Sequence, residues 1–442
     1  MGKTFDLILK GGAVVNQDGE AVRDIGVSAG RIAGIGDLGP ASAGETIDCK
    51  GLHVLPGVID TQVHFREPGP THKEDLLSGS LSAVMGGVTA VFEMPNTSPL
   101  TITNSSVEDK LQRAKGRMHC DHAFFVGATH HNSRDLPELE RMAGVCGVKI
   151  FMGASTGDLL VEDDAGILDV LRNGARRVAI HSEDEFILRD NKRLAREGDW
   201  TSHPEVRSVA SAVSSTVRLL GLAREARRRI HVLHVTTAEE IAILAAAKDI
   251  ATAEVTPQHL TLEAPDCYTR LKGKAQMNPP IRERRHRDGL WHGVAQGVFD
   301  VIGSDHAPHT LEEKERPYPA SPSGMPGVQT LVPVMLNHVA AGRLSLARFV
   351  DLVCHGPQRI FGIAGKGRIA AGYDADFTIV DLKRRETITD AWSKSRCGWT
   401  PFHGMSVTGW PVGTIIRGRT VMWENALVTP SLGEPLRFQE TL

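Results

Sequence analysis

The chain has little of what would mark a membrane protein, a secreted scaffold or a nucleic-acid partner. No apolar run approaches the roughly 18 residues needed to span a bilayer. The N-terminal MGKTFDLILKGG also lacks the long apolar core of a signal peptide. Asp6 stands where an N-myristoylation motif requires Ser or Thr, which argues against lipidation. Six cysteines, Cys49, Cys120, Cys146, Cys267, Cys354 and Cys397, are scattered with no C-x-x-C pair. That spacing speaks against a disulfide framework or zinc ribbon and for a reducing compartment, so a cytoplasmic location is expected. Charge is nearly balanced at −3, which gives no electrostatic reason to bind nucleic acid or anionic lipid. The basic run REARRRIH, from Arg224 to His231, is short and reads as the solvated end of a helix. No G-x-G-x-x-G follows the first strand of the central region, which counts against a doubly wound dinucleotide fold. No short-period repeat or low-complexity tract is present.

What is there is a globular chain of 442 residues, 41% hydrophobic, long enough for a barrel and an accessory module. The two ends share one texture. FDLILKGGAVV, DIGVSAGRIAGIG and ETIDCKGLHVL near the start, and GYDADFTIVDL and VGTIIRGRTVMWENAL near the end, alternate and carry frequent glycine. Such segments predict short strands and hairpins. One small β-sandwich domain built from residues 1–55 plus 366–442 is therefore expected. The middle, residues 56–365, alternates β-branched runs with helical segments. The runs are VIDTQVH, TAVFEMP, HAFFVGA, VKIFMG, RVAIHS, IHVLHV, ATAEVTP and FDVIGSD. Eight such strands with intervening helices predict an α/β fold of the (β/α)8 TIM-barrel type, with chemistry at the C-terminal strand ends.

Strand after strand finishes in a ligand-type residue: His64, Lys149, His181, His234 and Asp305. One such residue is ordinary; five from five strands of one barrel converge on a metal site. Imidazole and carboxylate suit zinc, and also manganese or iron. A metal of this kind lowers the pKa of bound water and polarises a carbonyl, so the site predicts hydrolysis. Asp305 can shuttle a proton to a leaving nitrogen, or, more blandly, cap a helix. Lys149 does not ligate as an ammonium. It either snorkels to solvent or, after reaction with carbon dioxide, bridges two metals as a carbamate. Arg66 follows His64 by two and offers a fork for a carboxylate. Asn96, Asn278 and His309 sit in turn-rich segments where they serve either as caps or as substrate contacts. The charged, Pro- and Gly-rich TLEEKERPYPASPSGMPG is long for a plain connector and is expected to border the pocket.

These residues resemble the amidohydrolase superfamily, and within it the dihydroorotases. The segments that carry the likeness run in the family's order across the barrel: LPGVID, HFREPGPTHKED, GGVTAVFEMPNTSP, VKIFMGAS, HSEDE, HVLHVTT, MNPPIRE, GSDHAPH and GMPGVQT. The resemblance implies reversible hydrolysis of L-dihydroorotate to N-carbamoyl-L-aspartate in pyrimidine synthesis, with a metal-bound hydroxide as nucleophile. It places His64 and Asp305 on one metal, His181 and His234 on a second, and carboxylated Lys149 between them. His234, rather than His231, matches the ligand position. Asp305 would be the general acid/base. Arg66, Asn96 and His309 would hold the substrate carboxylate, and Asn278 with the Ser323–Gly324 backbone would meet the ring amides.

One position departs from the pattern. The family has His-x-His where this chain has Gln62-Val63-His64. Amide oxygen is a poorer zinc ligand than imidazole nitrogen. Gln62 is thus a weak ligand in a two-metal site, a sign of a one-metal enzyme, or the mark of an inactive homologue. The other ligand positions are intact, which favours an active enzyme. The rival activities are an allantoinase or a hydantoinase, which share the metal cluster but whose neutral rings do not call for a carboxylate pocket. The non-enzymatic rival is a subunit that scaffolds aspartate transcarbamoylase. A homodimer is what the resemblance suggests.

Overall fold

The structure is a computed structural model that describes residues 4–154 and 159–441. Ser155, the last residue of VKIFMGAS, and the N-terminal residues 1–3 lie outside the described part. Two sheets organise the chain. The first takes strands from both ends: β1 (Thr4–Asn16), β2 (Gly19–Ser28), β3 (Arg31–Gly36), β4 (Ser42–Asp48) and β5 (His53–Pro56) from the start. After the barrel, whose strands are β6 to β13, the chain returns as β14 (Phe377–Thr387), β15 (Ser406–Ile416), β16 (Arg419–Trp423) and β17 (Ala426–Leu427). The nine strands hydrogen-bond in the order β17-β16-β15-β14-β5-β1-β2-β3, with β4 parallel to β1. β5 is the junction, because it pairs with β1 on one side and antiparallel with β14 on the other. The sheet is mixed, and Leu7, Val14, Ile25, Val27, Phe377, Ile379 and Ile415 are packed into one core.

The second sheet is the barrel: β6 (Val58–Val63), β7 (Val88–Glu93), β8 (Asp121–Gly127), β9 (Val145–Phe151), β10 (Val178–His181), β11 (Ile230–Val232), β12 (Ala251–Val255) and β13 (Val301–Ile302). Each of these strands is buried along its whole length, as parallel strands covered on both faces must be. The strands follow sequence order from β6 to β13. Closure comes from a bridge between Val63 and His306, where His64 N donates to His306 O at 2.7 Å. That seam places the residues after β13 beside those at the end of β6. The crossover helices start where sequence supplies caps. Thr237 and Glu240 form a capping box on Ala238–Ala245, and Thr103 and Ser106 one on Asn104–Ala114. The helix Val209–Ala226 starts at the Ser208 cap and ends at Arg227, whose φ of 54° stops it inside the basic run. All six cysteines are buried free thiols. Among the described residues no helix is long and apolar enough to cross a membrane.

Candidate metal centre

Gln62, His64, His181, His234, Asn278, Asp305, Ser323 and Gly324 line one small cleft of about 20 Å3, with Phe151 and Ala307. His64 lies one residue past β6 and His181 ends β10. His234 and Asp305 lie two and three residues past their strands, in loops, and Lys149 sits inside β9. The loops hold their side chains at a cost. His234 (φ 36°), Asp305 (φ 45°) and Arg66 (φ 61°) all adopt left-handed backbone, which non-glycine residues avoid. Strain of this sort, of order 1–3 kcal/mol per residue, persists where surrounding structure enforces it, and it clusters at functional sites.

The hydrogen bonds fix the imidazole tautomers. His181 Nε2 faces the Glu183 carboxylate at 2.7 Å, so that nitrogen carries the proton and Nδ1 keeps its lone pair. That lone pair points at His234 Nε2, 3.0 Å away. Burial alone would raise the Glu183 carboxyl, but Arg207 and His181 overcome it and hold the group well below the ordinary carboxylate range. His64 repeats the arrangement. Its Nδ1 meets the carbonyl oxygen of the Asn96 side chain at 2.8 Å, which makes Nδ1 the donor. The bare Nε2 then faces Asp305 Oδ1 at 3.2 Å. Burial lowers the pKa of His64, so the ring is neutral and both facing atoms are acceptors. Gln62 Nε2 donates to Asp305 Oδ1 at 3.0 Å, which leaves its carbonyl Oε1 buried without a hydrogen-bond partner.

His64 Nε2 and Asp305 Oδ1 thus face each other as two acceptors, and Gln62 Oε1 and His234 Nδ1 are buried without hydrogen-bond partners. Buried polar atoms are normally partnered, and a cation between these lone pairs would satisfy them. The donor set of imidazole nitrogens, one carboxylate and one amide oxygen fits a divalent metal such as zinc. Lys149 is buried beside them, its Nζ without a hydrogen-bond partner and 4.4 Å from the Phe151 ring centroid. Burial pulls its pKa down to about 7, against the opposing pull of Asp305 and Glu254. Glu254 itself accepts from Thr61 Oγ1 at 2.9 Å and from the His234 backbone at 3.4 Å. Burial pushes its carboxyl up to about 8. His231, the rejected alternative in HVLHV, instead pairs with Thr252 Oγ1 at 2.8 Å.

A second layer joins two cations, Arg66 and Lys73, to the Glu313 carboxylate 3.0 Å from Lys73 Nζ, with His309 kept neutral by burial. Arg66 Nη2 lies 3.3 Å from His309 Nε2, and Lys73 Nζ lies 3.0 Å from His309 Nδ1. His309 Nε2 is also 3.0 Å from the Ser323 carbonyl, which ties this layer to the cleft wall. Burial lowers Arg66 to about 10, which still leaves it charged near neutral pH. Asn278 lines the cleft with its Oδ1 unpartnered. Asn96 Oδ1 is engaged by His64.

Sequence reasoning missed Glu183, Arg207, Glu254 and Lys73. HSEDE and HKED were visible as motifs, but only the tertiary approach of Arg207 to Glu183 and of Lys73 to His309 gives these residues work. Glu183→Gln is expected to weaken zinc binding about 10- to 100-fold, the usual consequence of losing a ligand's orienting carboxylate. Titration of the metal-free variant with a competing zinc indicator measures this, and unchanged affinity would remove Glu183 from the centre.

The cleft is not the largest cavity. One of about 1170 Å3 lies between β2 and the helix Asn104–Ala114 and shares no residue with it. A surface trio, His130 with Glu162 and Asp163 at 3.6 and 3.5 Å, is also separate and half solvated. Chemistry rather than size singles out the small cleft.

The sequence from 53 to 421 matches the model of the amidohydrolase family, and the chain belongs to that family. It is a hydrolase acting on cyclic amides, of a family that is generally metal-dependent. It is 36% identical over 429 residues to a dihydroorotase of Methanosarcina acetivorans, covering 93% of this chain and 91% of that one. A dihydroorotase of Halobacterium salinarum is 37% identical, with 94% and 97% covered. Among solved structures, the L-hydantoinase (dihydropyrimidinase) of Arthrobacter aurescens superposes with a TM-score of 0.92 at 30% identity, covering 98% and 99% of the two chains. The dihydropyrimidinase of Brevibacillus agri gives a TM-score of 0.89 at 25% identity, with 96% and 97% covered.

Proposed function

We propose that this chain is a metal-dependent dihydroorotase, which interconverts L-dihydroorotate and N-carbamoyl-L-aspartate. The observation that carries the metal is the convergence of the His64, His181 and His234 imidazoles, the Asp305 carboxylate and the unpartnered Gln62 Oε1 on one buried cleft. The observation that carries the substrate is the buried Arg66 guanidinium, which lies beside His309 behind the cleft. A ring that bears a carboxylate would use it, and guanidinium is suited to that group. The curated relatives named dihydroorotase support the same substrate. The structural neighbours named hydantoinase support a second reading, a neutral cyclic amide in the same cleft.

His64, His181, His234, Asp305 and Gln62 would hold one or two divalent ions, with Lys149 as an N-carboxylated bridge. Bound there, zinc or manganese supplies acidified water and a polarised amide carbonyl. Arg66, with Asn96 and His309, orients the substrate through its carboxylate, while Asn278 and the Ser323–Gly324 backbone meet the ring amide. Asp305 takes the proton released as water adds to the amide carbon and delivers it to the ring nitrogen as the C–N bond breaks. Gln62 Nε2 keeps Oδ1 of that carboxylate in place. Pyrimidine synthesis and a cytoplasmic setting accompany this reading.

The test is turnover of L-dihydroorotate against hydantoin by purified protein supplied with zinc or manganese and bicarbonate. Preference for the carboxylated ring supports the proposal, and hydrolysis of hydantoin alone would transfer it to the second reading. No turnover of either, with co-purification of aspartate transcarbamoylase, would favour a scaffold subunit. Gln62 affects how tightly metal is held. Gln62→His exchanges an amide oxygen for imidazole nitrogen and is expected to tighten the weaker ion about tenfold or more. Metal retained per chain after dialysis reads this out, and equal retention would show that Gln62 is not a ligand.

A further inference from the structure

Thr310 to Gly327 contributes to the cleft through Ser323 and Gly324. This segment is tied down rather than loose. It begins with a short helix, Leu311–Lys314, capped by the reciprocal Thr310–Glu313 box. Lys314 is 2% exposed and, among the described residues, forms no ion pair with a carboxylate. Its Nζ donates instead to three backbone carbonyls: Gln276 at 3.0 Å, Pro322 at 2.7 Å and Gly324 at 2.7 Å. Three acceptors are what a protonated amine, with its three N–H groups, satisfies in full. Burying such a charge without a counter-ion is destabilising, so stability alone does not account for it.

The acceptors show what the lysine controls. Peptide groups are planar, so holding a carbonyl also aims the N–H of the next residue. The Pro322 carbonyl shares its plane with Ser323 N–H, and the Gly324 carbonyl shares its plane with Met325 N–H. The plane between them is held from elsewhere: His309 reaches the Ser323 carbonyl at 3.0 Å, and Gly324 N donates to Gln276 O at 2.9 Å. Gln276 Nε2 adds bonds to Ser321 O at 2.9 Å and Ser323 Oγ at 3.1 Å. Gly324 itself has a φ of 136°, and a Cβ there would meet Ala307 O at 2.4 Å. Of three successive peptide planes facing the cleft, Lys314 fixes the first and the third. Its third bond anchors them to Gln276, two residues before Asn278.

We propose that Lys314 is the positioning residue for ring recognition, one ammonium that sets the peptide planes on both sides of the Ser323–Gly324 peptide and locks them to the Asn278 segment. The inference rests on the reading that Ser323, Gly324 and Asn278 face the substrate ring. It adds a residue that touches neither substrate nor metal yet sets specificity.

The test compares metal-loaded wild type with Lys314→Met, which keeps the length and removes every donor, and Lys314→Gln, which keeps two N–H groups. On L-dihydroorotate, Lys314→Met is expected to raise KM about tenfold or more, the scale of lost charge-assisted hydrogen bonds. Its kcat should change far less and its metal content should stay the same. Amide hydrogen exchange should quicken at Ser323 and Met325, with Lys314→Gln intermediate in both readouts. Wild-type exchange at these amides, or a fall in kcat with KM unchanged, would overturn the proposal. Failure of both variants to fold would do the same, by assigning the lysine to fold stability. If wild type hydrolyses only a different cyclic amide, the substrate reading falls, while the exchange comparison still decides the role of Lys314.

Discussion

Asp305→Asn is expected to lower turnover of L-dihydroorotate on the order of 10^3-fold, within the span attributed to a positioned acid/base. The substitution keeps the size of the side chain and an oxygen that Gln62 Nε2 can still reach, so the barrel seam should close as before. What it removes is the basic carboxylate beside the seam where β6 and the loop after β13 meet. Asp305 Oδ1 is 3.2 Å from His64 Nε2 and 3.0 Å from Gln62 Nε2, so no other carboxylate can stand in at that position. Glu254, the nearest candidate by chemistry, is engaged by Thr61 and held uncharged near neutral pH by burial, which pushes it to about 8. Two measurements separate the roles of Asp305. Metal content reports its part as a ligand, and the rate at saturating metal reports its part in proton transfer. A variant that holds full metal and turns over within tenfold of wild type would take Asp305 out of the proton path.

The barrel was legible because its strands are buried on both faces, so each of the eight stands out as a β-branched run between polar segments. Strand ends were less so: the run FDVIGSD contains only a two-residue strand, Val301–Ile302, and IHVLHV only three residues, Ile230–Val232. In both, the ligand lies past the strand, on backbone with positive φ that strand periodicity does not predict. Residue type carried that inference; periodicity did not. The layer behind the ligands was illegible for a different reason. Glu183 and Arg207 lie 24 residues apart and Lys314 and Gln276 lie 38 apart, so their contacts exist only once the chain has folded. Lys314 is the sharper case. A lysine in a charged, Pro-rich segment reads as solvated, and the fold buries it among backbone carbonyls.

Lys149→Met is expected to reduce turnover on the order of 10^3-fold, with loss of part of the bound metal, if the lysine bridges two ions as a carbamate. The expectation starts from protonation. Only a neutral amine attacks carbon dioxide: an N–C bond forms, the displaced electron pair becomes the carboxylate, and a proton leaves. With its pKa pulled down to about 7, roughly nine-tenths of Lys149 is neutral at pH 8, against well under one per cent for an ordinary lysine near 10.5. Raising pH from 6 to 8 therefore drives carboxylation. The product is an anion placed near Asp305, so without cations it is repelled. Carbamate and metal should each promote the other. In a sample supplied with 13C-bicarbonate, a carbamate resonance is expected at pH 8 with zinc, weaker without it, weaker again at pH 6, and missing from Lys149→Met. Bicarbonate should raise wild-type turnover after exhaustive degassing and leave the variant unmoved. Wild-type rates in Lys149→Met, or turnover indifferent to bicarbonate with no such resonance, would leave His64, His181, His234, Asp305 and Gln62 to hold metal without a bridge.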